Sequence, residues 1–149
     1  MKIFSRILVP VDFHPGSSHA LDIAIDLART FEAKVTLLHV VSLPALYTLG
    51  YAEGLSWPVN ELDAAAKREL DTVRRQAEKK YPNVDTIVVS GDPREQIVEV
   101  AREASIDLIV MATNARRGLA RAFLGSVAER VVRTAPVPVL TVGPEPRER

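Results

Sequence analysis

Asp107-Leu-Ile-Val-Met-Ala-Thr-Asn-Ala-Arg-Arg-Gly-Leu-Ala-Arg-Ala-Phe-Leu-Gly-Ser-Val127 decides how the rest of the chain is read. Asp107–Met111 is a short apolar run without polar alternation, which predicts a strand buried on both faces. Gly125 and Ser126 precede a new helical pattern. Glu129 lies three residues beyond Ser126, the spacing of a capping box for a helix through Arg133. A buried strand, a loop of small residues and a helix N-terminus make a natural anion site: the first N–H groups of the helix lack partners, and its dipole favours negative charge. Arg116, Arg117, Arg121 and Arg130 crowd the same region, either as a solvated face or as a phosphate clamp.

Working outward, Ile3 to Pro10 is a second apolar run of the central-strand kind, ending in Leu8-Val9-Pro10-Val11-Asp12. The turn Asp12–Ser18 follows, with Ser17 or Ser18 as the expected helix cap and Ala20, Ala24, Leu27, Ala28 and Phe31 as the apolar stripe. Lys34–Val41 reads as the next strand, within which His39 is a satisfied strand histidine. Residues 42–59 form a long loop carrying Tyr47, Tyr51 and Trp57, either a lid or a packing surface. Asn60–Lys80 repeats Leu62, Ala66, Leu70, Val73 and Ala77 at helical spacing. After a strand at Val84–Ser90, Asp92, Pro93 and Glu95 mark a helix start as N-cap, N1 and N3, with Ile97, Val100, Ala101 and Ala104 facing inward. Val137–Val142 is the last strand, and Pro138, which lacks an N–H, puts it at a sheet edge. Residues 1–143 make one domain and 144–149 a polar tail.

Strands alternating with helices predict an α/β parallel sheet covered by helices, with ligands beyond the strand C-termini where strand order reverses. If the first and fourth strands are neighbours, the Asp12 turn and the 112–126 loop face one crevice. Composition narrows the function. Zero cysteines exclude disulfides and thiolate metal sites, and His14, His19 and His39 lack metal-ligand spacing. A net charge of +0 argues against a nucleic-acid binder. No apolar run approaches the ~20 residues that span a bilayer, and no signal-type segment opens the chain, so a cytoplasmic protein off the membrane is expected. There is no G-x-G-x-x-G after the first strand and no G-x-x-x-x-G-K-[ST], which removes the dinucleotide and P-loop sites.

The segments Arg6-Ile-Leu-Val-Pro-Val-Asp12, Leu37-Leu-His-Val40, Gly91-Asp-Pro93 with Ile97, Asp107–Met111, Gly125-Ser-Val-Ala-Glu129 and Ala135-Pro-Val-Pro-Val139, in this order and spacing, resemble the universal stress proteins of the UspA type over almost the whole length. The resemblance implies a doubly wound, five-stranded parallel sheet of order 3-2-1-4-5 with helices on both faces, a Rossmann-like fold of the adenine nucleotide alpha hydrolase-like kind. It implies a homodimer, here expected through strand 137–142. It also implies an adenine nucleotide, ATP or AMP; apart from the resemblance, Asp12 and Asp92 are the carboxylates that could hold a magnesium beside it. Pro10, Asp12 and Val40 would meet the adenosine part. Met111, Ala112, Ala115, Arg116, Gly125, Ser126 and Val127 would form the rest of the site.

Nucleotide-binding members carry G-x2-G-x9-G-[ST], which falls here on Ala112, Ala115, Gly125 and Ser126. Two glycines are therefore alanines. Where φ is positive, alanine costs about 1–2 kcal/mol, enough for a tenfold loss of affinity per site. Where φ is negative and the methyl faces away from the ligand, the cost is near zero. The sequence thus leaves three alternatives: a stress-response protein that binds an adenine nucleotide, a dimeric interaction module of the same fold that has lost it, and, as the weakest, a hydrolase or transferase acting on nucleotides. An enzyme is not expected, because no serine–histidine–carboxylate set and no lysine stand in the loop. Slow hydrolysis of bound nucleotide is compatible with the first of these alternatives.

Overall fold

The computed structural model describes residues 2–42, 59–113 and 124–144. Among the described residues the chain forms β1 (Arg6–Pro10), α1 (Pro15–Phe31), β2 (Lys34–Val41), α2 (Val59–Glu78), β3 (Val84–Ser90), α3 (Pro93–Glu103), β4 (Leu108–Ala112), α4 (Ser126–Thr134) and β5 (Val139–Val142). The five strands are all parallel and ordered β3-β2-β1-β4-β5. This is the expected doubly wound arrangement.

The unbroken apolar runs of β1 and β4 are explained by burial from both sides. Ile7 and Val9 of β1 join one core with α1 and α2, through Leu21, Ala24, Ile25, Ala28 and Leu70. Leu8, pointing the other way, joins a second core with α3 and α4, through Ile97, Val100, Ala101, Ala128 and Val131. Ile7, Leu8 and Val9 are all fully buried. Polar alternation in such a strand would place a polar side chain in one core or the other.

β1 and β4 are direct neighbours, with Ile7 opposite Leu108 and Leu8 opposite Ile109. Asp107 fastens their starts: its two carboxylate oxygens accept the backbone N–H groups of Ser5 (2.7 Å) and Arg6 (3.1 Å). At their other ends, the first and fourth strands open the crevice expected from their adjacency. β5 is an edge strand. It begins at Val139, two residues later than the apolar run suggests, because Pro138 contributes only its carbonyl, which accepts the Ile109 N–H at 3.0 Å.

Three local expectations are corrected. Helix α1 starts at Pro15 with His14 as N-cap, ahead of Ser17 and Ser18. Proline is pre-set for the first helical position and outcompetes the later serines. Leu62, on the expected apolar stripe of α2, is 40% exposed. The 20 residues of α2 span about 30 Å, longer than the ~23 Å of the seven-residue β3 beneath it. The third correction concerns Ser126 and belongs to the site.

Candidate functional site

A cavity of about 250 Å³ opens at the C-terminal ends of β1, β2 and β4. Its walls include Pro10, Asp12, Val40, Met111, Ala112, Gly125 and Val127, all named from the sequence. They meet because the parallel sheet delivers three strand ends to one side, and α1, α3 and α4 all start there. Ser126 is exposed and outside the wall. Ala115 and Arg116, with Arg117 and Arg121, lie outside the described residues.

The floor is made by the ends of β1 and β2 and by α3. Pro10 and Val40 are half-buried, Met111 is buried, and Ile97 and Ala128 close the side facing α3 and α4. Ile97 and Pro93, read from the sequence only as helix residues, were not among the expected site residues. Both lie at the start of a helix that follows a strand end, which is the signal that identifies such positions in parallel sheets.

Asp12 stands at the exit of β1. Its Oδ1 accepts the His14 N–H at 3.0 Å and lies 3.0 Å from the Ser17 hydroxyl, which also reaches the His14 carbonyl at 2.9 Å. Ser17, expected to be a cap, is instead a buried residue of the first helical turn that holds this carboxylate. Residue 13, between them, is strained: Phe13 has φ of 65°. The left-handed region costs a side chain with a Cβ about 1–2 kcal/mol and is commonly retained at ligand sites.

The phosphate side of the crevice departs from the capping box. The N-cap of α4 is Gly125, with φ of 92° and ψ of 152°. Its carbonyl accepts the Glu129 N–H at 2.9 Å. Ser126 is the first helical residue, and Glu129 turns its carboxylate away to Arg133 at 2.8 Å. Among the described residues no side chain caps this helix. Helix geometry leaves the N–H groups of Ser126, Val127 and Ala128 without intrahelical partners at the cavity edge. The positive φ is what selects glycine here, since a Cβ at that combination of angles is strained.

Ala112 differs. It ends β4 in regular strand backbone, opposite Val142, and is not among the described residues with positive φ. It packs against the core on the α1 side, where a methyl built on Gly16 would come within 3.6 Å of the Ala112 methyl. At this position alanine in place of glycine carries no backbone penalty.

At the outer rim, Asp92 caps α3 by accepting the Arg94 N–H at 2.9 Å. The Arg94 guanidinium closes on the same carboxylate at 2.7 Å. That hydrogen bond, with a smaller contribution from the charge of Arg130, holds the Asp92 carboxyl below the usual carboxylate range. Among the described residues no group of three or more histidine, aspartate or glutamate side chains is gathered as a metal site. Nor, among them, is any helix long and apolar enough to cross a membrane.

The sequence pattern of the universal stress protein family matches residues 4–143. The chain belongs to that family. Its relatives include universal stress protein MJ0531 of Methanocaldococcus jannaschii, 38% identical over 143 residues, covering 95% of this chain and 83% of the relative. Among solved structures it is similar to protein MJ0577 of the same organism, at 28% identity and a TM-score of 0.80, covering 97% of this chain and 99% of that one. It is also similar to the universal stress protein from Archaeoglobus fulgidus solved in complex with dAMP, at 25% identity and a TM-score of 0.69, covering 93% and 98%. These universal stress protein structures share the five-stranded α/β architecture described above.

Proposed function

We propose that this universal stress protein binds an adenine nucleotide, ATP or AMP, in the crevice between β1 and β4. The observation that carries the proposal is the start of α4. Glycine at position 125 holds a backbone conformation closed to other residues, and among the described residues no side chain caps the helix N–H groups behind it. A phosphate supplies both the acceptors and the negative charge that such a terminus lacks. The adjoining apolar wall suits a base, and the relative solved with dAMP supports the adenine class.

In this reading Pro10, Val40 and Met111 pack on the adenosine part. Asp12 uses Oδ1 to hold its own turn and offers its other oxygen to ribose hydroxyls. Ala112, Ala115, Gly125, Ser126 and Val127 surround the phosphates, and Arg116 adds charge. A magnesium ion would accompany a triphosphate rather than occupy a protein cage. The protein acts by occupancy, in the cytoplasm, as a homodimer through strand 137–142, and no catalytic group is assigned to it. A titration with fluorescent ATP and AMP tests the proposal: saturable binding in the micromolar range is expected, and none at millimolar ligand would remove it.

The interaction module without nucleotide is the second reading, motivated by alanine at 112 and 115 where the motif has glycine. Restoring both glycines of the motif at 112 and 115 discriminates. Binding that arises only in that double variant supports the second reading, whereas equal binding in both forms supports the first.

A further inference from the structure

His39 lies on β2, outside the nucleotide motif, yet it holds the turn that carries Asp12. Its Nδ1 is 2.7 Å from the Val11 carbonyl. A carbonyl oxygen only accepts, so Nδ1 carries the proton and, in the neutral ring, Nε2 is left as an acceptor. The Val11 N–H is bonded to Leu38 at 2.7 Å, so both polar groups of the residue before Asp12 are tied to β2. On the other side of Asp12, the Phe13 ring lies against the imidazole with centroids 4.4 Å apart. Phe13 is the residue held at φ of 65°. One side chain therefore brackets Asp12, with a hydrogen bond before it and a ring contact after it, while itself lining the cavity.

We infer that His39 is a positioning residue for the nucleotide site. By donating Nδ1–H to Val11 it fixes the strained Asp12–Phe13 turn in the orientation that receives the ribose. The binding half of this inference rests on the nucleotide proposal above, whereas the turn-holding half can be read without ligand.

Two substitutions separate the hydrogen bond from the ring contact. His39→Phe keeps a ring against Phe13 and removes the donor. His39→Asn places an amide N–H the same number of bonds from the backbone and removes the ring. Without ligand, nitrogen NMR of the imidazole is expected to show the Nδ1–H tautomer. Amide exchange at His14, whose N–H is held by Asp12, is expected to accelerate in His39→Phe and stay slow in His39→Asn. With fluorescent AMP, His39→Phe is expected to bind about five- to tenfold more weakly, the size of one structured hydrogen bond, and His39→Asn within about twofold of wild type.

An Nε2–H tautomer in the wild type overturns the inference. So does a phenylalanine variant that binds as tightly as wild type, or an asparagine variant as weak as the phenylalanine one. If the wild type binds no nucleotide, the binding half falls with the proposed function, and the tautomer and exchange results still decide whether His39 holds the turn.

Discussion

Gly125→Ala strikes the feature on which the proposed nucleotide binding depends. At φ of 92° and ψ of 152° an added Cβ is in the region populated almost only by glycine, at a cost of about 1–3 kcal/mol. The alternative is to rotate φ to a well near about −60°, a swing of roughly 150° that turns the start of α4 away from the cavity. Either response leaves two marks. For a chain of this size each ~1 kcal/mol moves the thermal midpoint by about 2–4 °C, so a mid-range cost of ~2 kcal/mol predicts a fall of about 4–8 °C. If the free protein relieves half or more of that strain by turning the helix start away and binding must restore it, affinity for AMP falls about fivefold or more. Thermal unfolding by circular dichroism reads the first, and fluorescence anisotropy with labelled AMP reads the second. Gly143→Ala is the matched control. Gly143 is exposed, a Cβ there meets nothing within 4 Å, and its φ is not positive, so both readings should equal wild type. A Gly125→Ala protein that melts and binds like the Gly143 control would refute the assignment of this glycine to a strained phosphate-facing cap.

The other predictions concern the strand end, the rim and the edge. Ala112→Gly loses a packed methyl and adds backbone freedom, so stability should drop by about 1–2 kcal/mol with AMP affinity unchanged; a tenfold gain in affinity would mean the methyl obstructs the phosphate after all. Asp92→Ala removes the α3 cap and should cost about 1 kcal/mol at neutral pH. Because Arg94 lowers the folded-state pKa of Asp92, this contribution is complete above the unfolded value near ~3.9 and fades as pH falls through the lower folded one. Melting curves of wild type and variant should therefore converge below about pH 4, and a gap that stays constant with pH would contradict the pairing. Leu140→Glu places a charge on the exposed edge strand and should convert the proposed dimer to monomer by sedimentation; a wild type already monomeric at micromolar concentration would count against the strand 137–142 interface.

What could be read from residues alone was whatever a few neighbouring positions encode. The unbroken apolar runs at Leu8 and Ile109 announced strands covered on both faces, because a polar side chain in either direction would be stranded in a core. Asp92 and Pro93 announced the start of α3, because N-cap and N1 preferences act within one turn, and Pro138 announced an edge, because it has no N–H to give. Tertiary structure decided the rest. Whether Ser126 or Gly125 caps α4, and whether alanine is tolerated at 112, depends on backbone angles imposed by where the strand end meets the helix. That His39 holds the Asp12 turn depends on a contact across 28 residues of sequence, which exists only once β1 and β2 lie side by side. Periodicity and capping are short-range and leave their mark in the order of residues. A left-handed glycine and a cross-strand hydrogen bond are consequences of assembly, and no local pattern specifies them.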